Sequence, residues 1–168
     1  GFQSTPIILS AFDGSSETIY VRLKANLEFG IYNLELATAS GGGADAVTVS
    51  LNGEVFEEIV PELVVNPTEL NGFNYVEGSG PSAEQSFIIS GTNLNETDVT
   101  ITAPTNYEIS LASGTGFQST PIILSAFDGS SETIYVRLKA GLGFGIYNLE
   151  FATASGGGAA EIVVTCNG

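Results

Sequence analysis

A 53-residue text occurs twice in this chain. Gly1–Gly53 and Gly116–Gly168 align without a gap, and their first 25 positions are identical. Internal repetition constrains a fold more than any other signal, because every copy has to be a unit that stacks or pairs with its neighbours. The segment between the copies occurs once. The chain therefore reads as the C-terminal half of one repeat over residues 1–60, followed by a complete repeat over residues 61–168. A unit of roughly 100 residues can bury roughly 60–70% of its unfolded surface and hold its own core. Half of such a unit leaves an open apolar face and unpaired strand edges.

The periodicity is two, and helical spacing is nearly absent. Thr133–Lys139 alternates cleanly, with Ile134, Val136 and Leu138 facing inward and Tyr135, Arg137 and Lys139 outward. The identical run Ile19–Lys24 carries the same expectation. All four basic residues of the chain lie on these two runs. Further strands are expected at Asp98–Thr102, with Val99 and Ile101 inside, and at Asn106–Leu111, with Tyr107, Ile109 and Leu111 inside. Ile146–Thr153 places Tyr147, Leu149 and Phe151 inside. Glu161–Cys166 places Ile162, Val164 and Cys166 there. Val47, Val49 and Leu51 stand at those last three places in the first copy, so substitutions between copies keep the inward positions apolar. Leu70–Val76 and Ala83–Ser90 complete the set. Pro61–Pro67 reads as an edge strand, since its bracketing prolines cannot donate to a central ladder. Turn residues punctuate these runs at Asn71-Gly72, Gly78–Pro81, Asp128-Gly129 and Gly156–Gly158. Asp13–Glu17 and its copy read as hairpin turns. Seven to nine short strands between Glu62 and Asn167 describe an all-β sandwich.

Charge and composition exclude several functions. Lys and Arg number four against 19 acidic residues, for a net charge of −15. Phosphate backbones and anionic membrane surfaces require a basic partner, so neither nucleic acid nor membrane is an expected ligand. No apolar run approaches the ~20 residues of a membrane span, and a targeting segment, if there is one, lies outside these residues. With no histidine and one cysteine, the sequence offers no Ser-His-Asp or Cys-His set and no zinc or heme ligand set. Gly41–Gly43 and its copy are turn glycines, because no helix follows to receive a phosphate. The expectation is a protein that is not an enzyme. Cys166 aligns with Leu51 and reads as a core thiol.

Two ligand classes fit the remaining residues. Glu54, Glu57, Glu58 and Glu62 crowd the boundary between the half unit and the full one, and hard oxygen ligands there could hold calcium as a cofactor. Asn93, Asn95, Glu96 and Asp98 form a second oxygen-rich group. The plain alternative for both is a solvated acidic surface. Glycan binding would use exposed aromatic platforms, for which Tyr20, Tyr75 and Tyr135 are the candidates in a chain without tryptophan. Asn95-Glu96-Thr97 is a formal glycosylation sequon.

Leu142-Gly143-Phe144-Gly145-Ile146-Tyr147 has the form L-x-x-G-x-Y, repeated at Leu27, Gly30 and Tyr32. It resembles the tyrosine corner of immunoglobulin-like sandwiches. Gly78–Leu94, followed by VTITAPTNYEISL and TIYVRLKAGLGFGIYNLEFATASGGG, is similar to the immunoglobulin-like tandem repeats of large secreted or cell-surface, adhesin-type proteins of Bacteroidota-like bacteria. The resemblance implies an immunoglobulin-like Greek-key β-sandwich in tandem, an extracellular or cell-surface location, and a structural role as a fibre or adhesin stalk. Its implied partners are neighbouring repeats or identical subunits of the same fibre. If the 168 residues are a whole subunit, the strands that the first copy lacks come from another chain by strand exchange. The alternative is a carbohydrate- or calcium-binding module of a secreted protein. The family supplies no catalytic or ligand residues.

Overall fold

Alternating apolar residues form strands where a partner strand is available to cover them. The computed structural model describes all residues 1–168 and contains strands but no helix. Its contacts divide the chain into two units, Gly1–Glu58 and Ile59–Gly168.

The first unit contains a single hairpin, β1 (Gly30–Gly41) and β2 (Ala44–Val55). The strands pair antiparallel, for example Leu36 with Ser50 and Thr38 with Thr48. Residues 1–29 form no strand, and no residue of this unit is buried.

The second unit is a two-sheet sandwich of nine strands: β3 (Glu62–Asn66), β4 (Glu69–Asn71), β5 (Gln85–Thr92), β6 (Val99–Thr102), β7 (Tyr107–Ser110), β8 (Ile122–Leu124), β9 (Glu132–Leu138), β10 (Glu150–Gly156) and β11 (Ala159–Asn167). One sheet has the order β3-β5-β9-β7 and the other β4-β11-β10-β6-β8. The first run splits between the sheets. β3 pairs antiparallel with β5, and β4, beyond Pro67, pairs parallel with β11. Proline lacks the N–H that would continue the first ladder, so the chain can leave it there. β3 is an edge strand, as its prolines require.

The core lies between the sheets. Phe87, Ile89, Ile134, Val136 and Tyr107 close it from one side, and Val99, Ile101, Val164 and Cys166 from the other. Phe73 packs edge-on against Tyr107 at 5.2 Å between ring centroids. Ile109 is buried as expected, and Ile162 packs at the margin.

Several sequence expectations fail for identifiable reasons. Leu149 and Phe151 point outward, and Ala152 and Ala154 are buried in their place. Leu149 adopts a left-handed backbone conformation with φ 57°, which interrupts the extended alternation begun at Tyr147 and reverses the faces beyond it. Leu111 is exposed because β7 ends at Ser110. The buried Ser110 hydroxyl bonds to Ala112 and Thr115 and turns the chain. Asp128-Gly129 does not close a hairpin, since it carries the chain from β8 in one sheet to β9 in the other. Strand β4 covers only the start of the expected Leu70–Val76 run.

The largest departure is at Ile19–Lys24, which is not a strand although its copy is. β9 pairs with β5 on one edge and β7 on the other. β8 pairs with β6. The first unit has no counterpart of those partners. Ile134 and Val136 are 0% exposed, whereas Ile19 and Val21 are 52% and 54% exposed.

The same substitution should therefore act very differently in the two copies. Ile134→Ala should destabilise the sandwich by about 2–5 kcal/mol, and Ile19→Ala should change stability by less than about 0.5 kcal/mol. Urea unfolding of the two variants measures the difference.

Candidate functional site

The chemistry of the complete unit concentrates on the outer face of β9. Arg137 donates through Nε to Glu108 Oε1 on neighbouring β7 at 2.6 Å, and its guanidinium stacks over the Phe117 ring at 3.8 Å. Lys139 Nζ donates to the Thr105 carbonyl at 2.6 Å. These groups cover the sheet and hold β7 against β9. In the first unit Arg22 stacks over Phe2 at 4.0 Å in the same way but makes no salt bridge.

The tyrosines of the repeated L-x-x-G-x-Y pattern form the same corner in both copies. The Tyr147 hydroxyl donates to the Gly143 carbonyl at 2.6 Å, and that of Tyr32 donates to the Glu28 carbonyl at 2.8 Å. Tyr147 also exchanges two backbone bonds with Gly168, and its carbonyl accepts the buried Tyr107 hydroxyl at 2.8 Å.

The expected acidic group divides between the units. Glu54 lies on β2 opposite Ile31, and Glu57 and Glu58 follow it. Glu62 lies on β3 opposite Thr92 in the second unit. Within either unit, no three acidic or cysteine side chains gather into a group that could hold a metal ion. In the second oxygen-rich group, Asn95 Oδ1 accepts the Thr97 N–H and hydroxyl, and Asp98 Oδ1 accepts the Ala126 N–H. The Asn95 oxygen organises its own loop, and the Asp98 oxygen ties that loop to the turn after β8.

Of the three tyrosines proposed as glycan platforms, Tyr75 is tied into the structure. Its hydroxyl donates to the Lys139 carbonyl and accepts the Leu142 N–H. Tyr135 is half-buried on β9, and Tyr20 is exposed. An open depression of about 500 Å³ beside Ser110, Gln118 and Ile122 has no titratable side chain in its wall.

Two apolar surfaces stand out instead. The first is the run Ile7–Leu23, whose second copy is core. The second escaped the sequence reading and is present in both copies. Phe144, Ile146, Leu149 and Phe151 remain exposed on the closed sandwich, and so do their counterparts Phe29, Ile31, Leu34 and Leu36. The signal that could have located it was the preservation of apolar type at these outward positions.

Cys166 is fully buried, as a core thiol should be. Burial pushes its ionisation up to about 12; an N–H bond from Ala152 opposes the shift, and the Glu150 charge adds to it. Burial likewise raises the Tyr107 hydroxyl. Glu84 is held low by the Ser113 hydroxyl and the Gly114 N–H, and Asp128 by its bonds from Ser130.

No protein-family model matches the chain, and no curated protein matches it.

The Cys166 shift predicts a pH effect. The folded state favours the neutral thiol, so its contribution is complete below the ordinary value of 9.0 and is lost as pH rises from there towards about 12. The loss should reach about 1.4 kcal/mol by pH 10. Cys166→Leu, which installs the residue found at Leu51, should remove most of this slope in urea unfolding carried out between pH 7 and pH 10, leaving the smaller part that the raised Tyr107 hydroxyl contributes.

Proposed function

We propose that this chain is a structural part of an extracellular bacterial surface fibre or adhesin stalk, in which immunoglobulin-like Greek-key sandwiches repeat in tandem and stack end to end. The observation that carries this reading is the repeat itself. Two near-identical copies are expected where each unit does the same mechanical work. The split first strand, the two-sheet order and the tyrosine corner support the immunoglobulin-like assignment.

Stacking needs adhesive surface on units that are otherwise closed. Phe144, Ile146, Leu149 and Phe151 supply it on the sandwich, and the same four positions are apolar in the first copy. Contiguous exposed apolar surface marks interaction sites on soluble domains. In this reading the partners are neighbouring repeats or identical subunits, and the strong negative charge keeps the fibre surface solvated.

Electron microscopy of the native protein should show rods of uniform width, and compact isolated particles would contradict the proposal. The double variant Phe29→Ser/Phe144→Ser should loosen the rods into flexible strings. Its unfolding free energy should differ from that of the parent by less than about 0.5 kcal/mol, because both side chains are exposed.

A further inference from the structure

We propose that Asn167, and Asn52 in the first copy, are positioning residues for the exposed apolar surface: each holds a β-bulge that turns Leu149 and Phe151, or Leu34 and Leu36, outward. The inference rests on the stacking role proposed above for what the surface does, but not for how it is made.

In each hairpin two residues oppose one at the same place. Tyr147 exchanges backbone bonds with Gly168, and Glu150 pairs with Cys166, so Asn148 and Leu149 stand opposite Asn167 alone. In the first copy Tyr32 pairs with Gly53 and Glu35 with Leu51, which leaves Asn33 and Leu34 opposite Asn52. The second residue of each doublet is left-handed, Leu149 at φ 57° and Leu34 at φ 65°. A bulky side chain seldom takes that conformation unless something holds it there. The asparagine supplies the hold. Asn167 Oδ1 accepts the Leu149 N–H at 2.8 Å, and Asn52 Oδ1 accepts that of Leu34 at 3.4 Å. Asn167 Nδ2 donates to Glu69 Oε1 at 2.8 Å and to Asn71 Oδ1 at 2.9 Å, which fixes the amide against β4.

The bulge decides which residues meet the core. Tyr147 packs against the core. An unbroken strand from there would bury Leu149 and Phe151 and expose Ala152 and Ala154. The extra residue inverts the faces, so that Leu149 is 71% exposed and Ala152 only 2%. Burial alone favours the reverse, since Leu and Phe take more apolar surface out of water than Ala does. The sandwich thus forgoes burial and holds a strained leucine in order to present these side chains, and the first copy carries the same left-handed leucine. Bulges re-aim side chains beside functional sites, and strained backbone persists where the surroundings over-determine it for a function. Leu36 and Phe151 differ in identity but agree in apolar type, as a contact surface requires.

Thiol labelling counted by mass tests the assignment. Phe151→Cys adds an exposed thiol to a chain whose own Cys166 is buried, so the folded protein should take one label quickly. Asn167→Ala should slow that label towards the rate of Cys166. Asn167→Asp, which keeps an acceptor oxygen at the same reach, should restore it. Leu149→Gly should make Asn167→Ala harmless, because glycine takes positive φ without steric cost. Labelling indifferent to Asn167→Ala overturns the proposal, and so does a slowing that neither Asn167→Asp nor Leu149→Gly reverses. If Asn167→Ala unfolds the sandwich, both thiols react, and adding Leu149→Gly must return the chain to a single label; two labels would again overturn it. Electron microscopy of Asn52→Ala/Asn167→Ala, with Phe151 in place, should show flexible strings where the parent shows rods. Intact rods would overturn the link between the bulge and the surface. A parent that forms no rods, with labelling as expected, would leave the role of the asparagines standing and remove the fibre.

Discussion

Strand β9 pairs on both edges, with β5 and with β7, and the rest of the sandwich depends on that double pairing. It brings Ile134, Val136 and Leu138 into the core opposite the other sheet. It sets Arg137 against Glu108 and anchors the passage from β8. All of these pairings join residues far apart in the chain, so the ordering of each strand is offset only when its partners arrive. The first copy presents the same residues without those partners, and they remain irregular and exposed. Identical sequence thus has two outcomes within one molecule, and the difference lies in what covers it.

The hairpin β1–β2 shows which part of the repeat is locally specified. Its strands adjoin through the glycine turn at Gly41–Gly43, and the tyrosine corner at Tyr32 forms from residues four apart. Both features reappear at β10–β11 and Tyr147. Local bonds therefore form without non-local partners, whereas the central strand does not.

Much of the sandwich was legible in the sequence because period-two alternation reports a face directly. Ile134–Leu138, Val99–Ile101 and Val164–Cys166 lie where alternation places them, and the proline-bracketed edge strand is β3. Alternation fails where the backbone leaves the extended region. Nothing in the residue types announces the positive φ at Leu149, so alternation points to Phe151 for the core where the structure buries Ala152. Strand β8 is three residues long and follows a proline, too short for a period to register. Ile19–Lys24 fails for a different reason: a strand is a property of a pair, and the run carries only one member. The acidic residues at the boundary were legible as a cluster in sequence, but the sequence could not say which unit each would join. The exposed Phe144 has no periodic signature in the sequence, because it lies in a turn before β10.

The central claim is that residues 1–25 and 116–140 fold differently because only the second copy has partner strands. Backbone chemical shifts of an isotopically labelled chain test it directly, since shifts depend on local conformation and not on residue type alone. Two sets of signals should appear for the identical segment, with strand-type values at Ile134, Val136 and Leu138 and non-strand values at Ile19, Val21 and Leu23. A single coincident set of strand-type shifts would contradict the account.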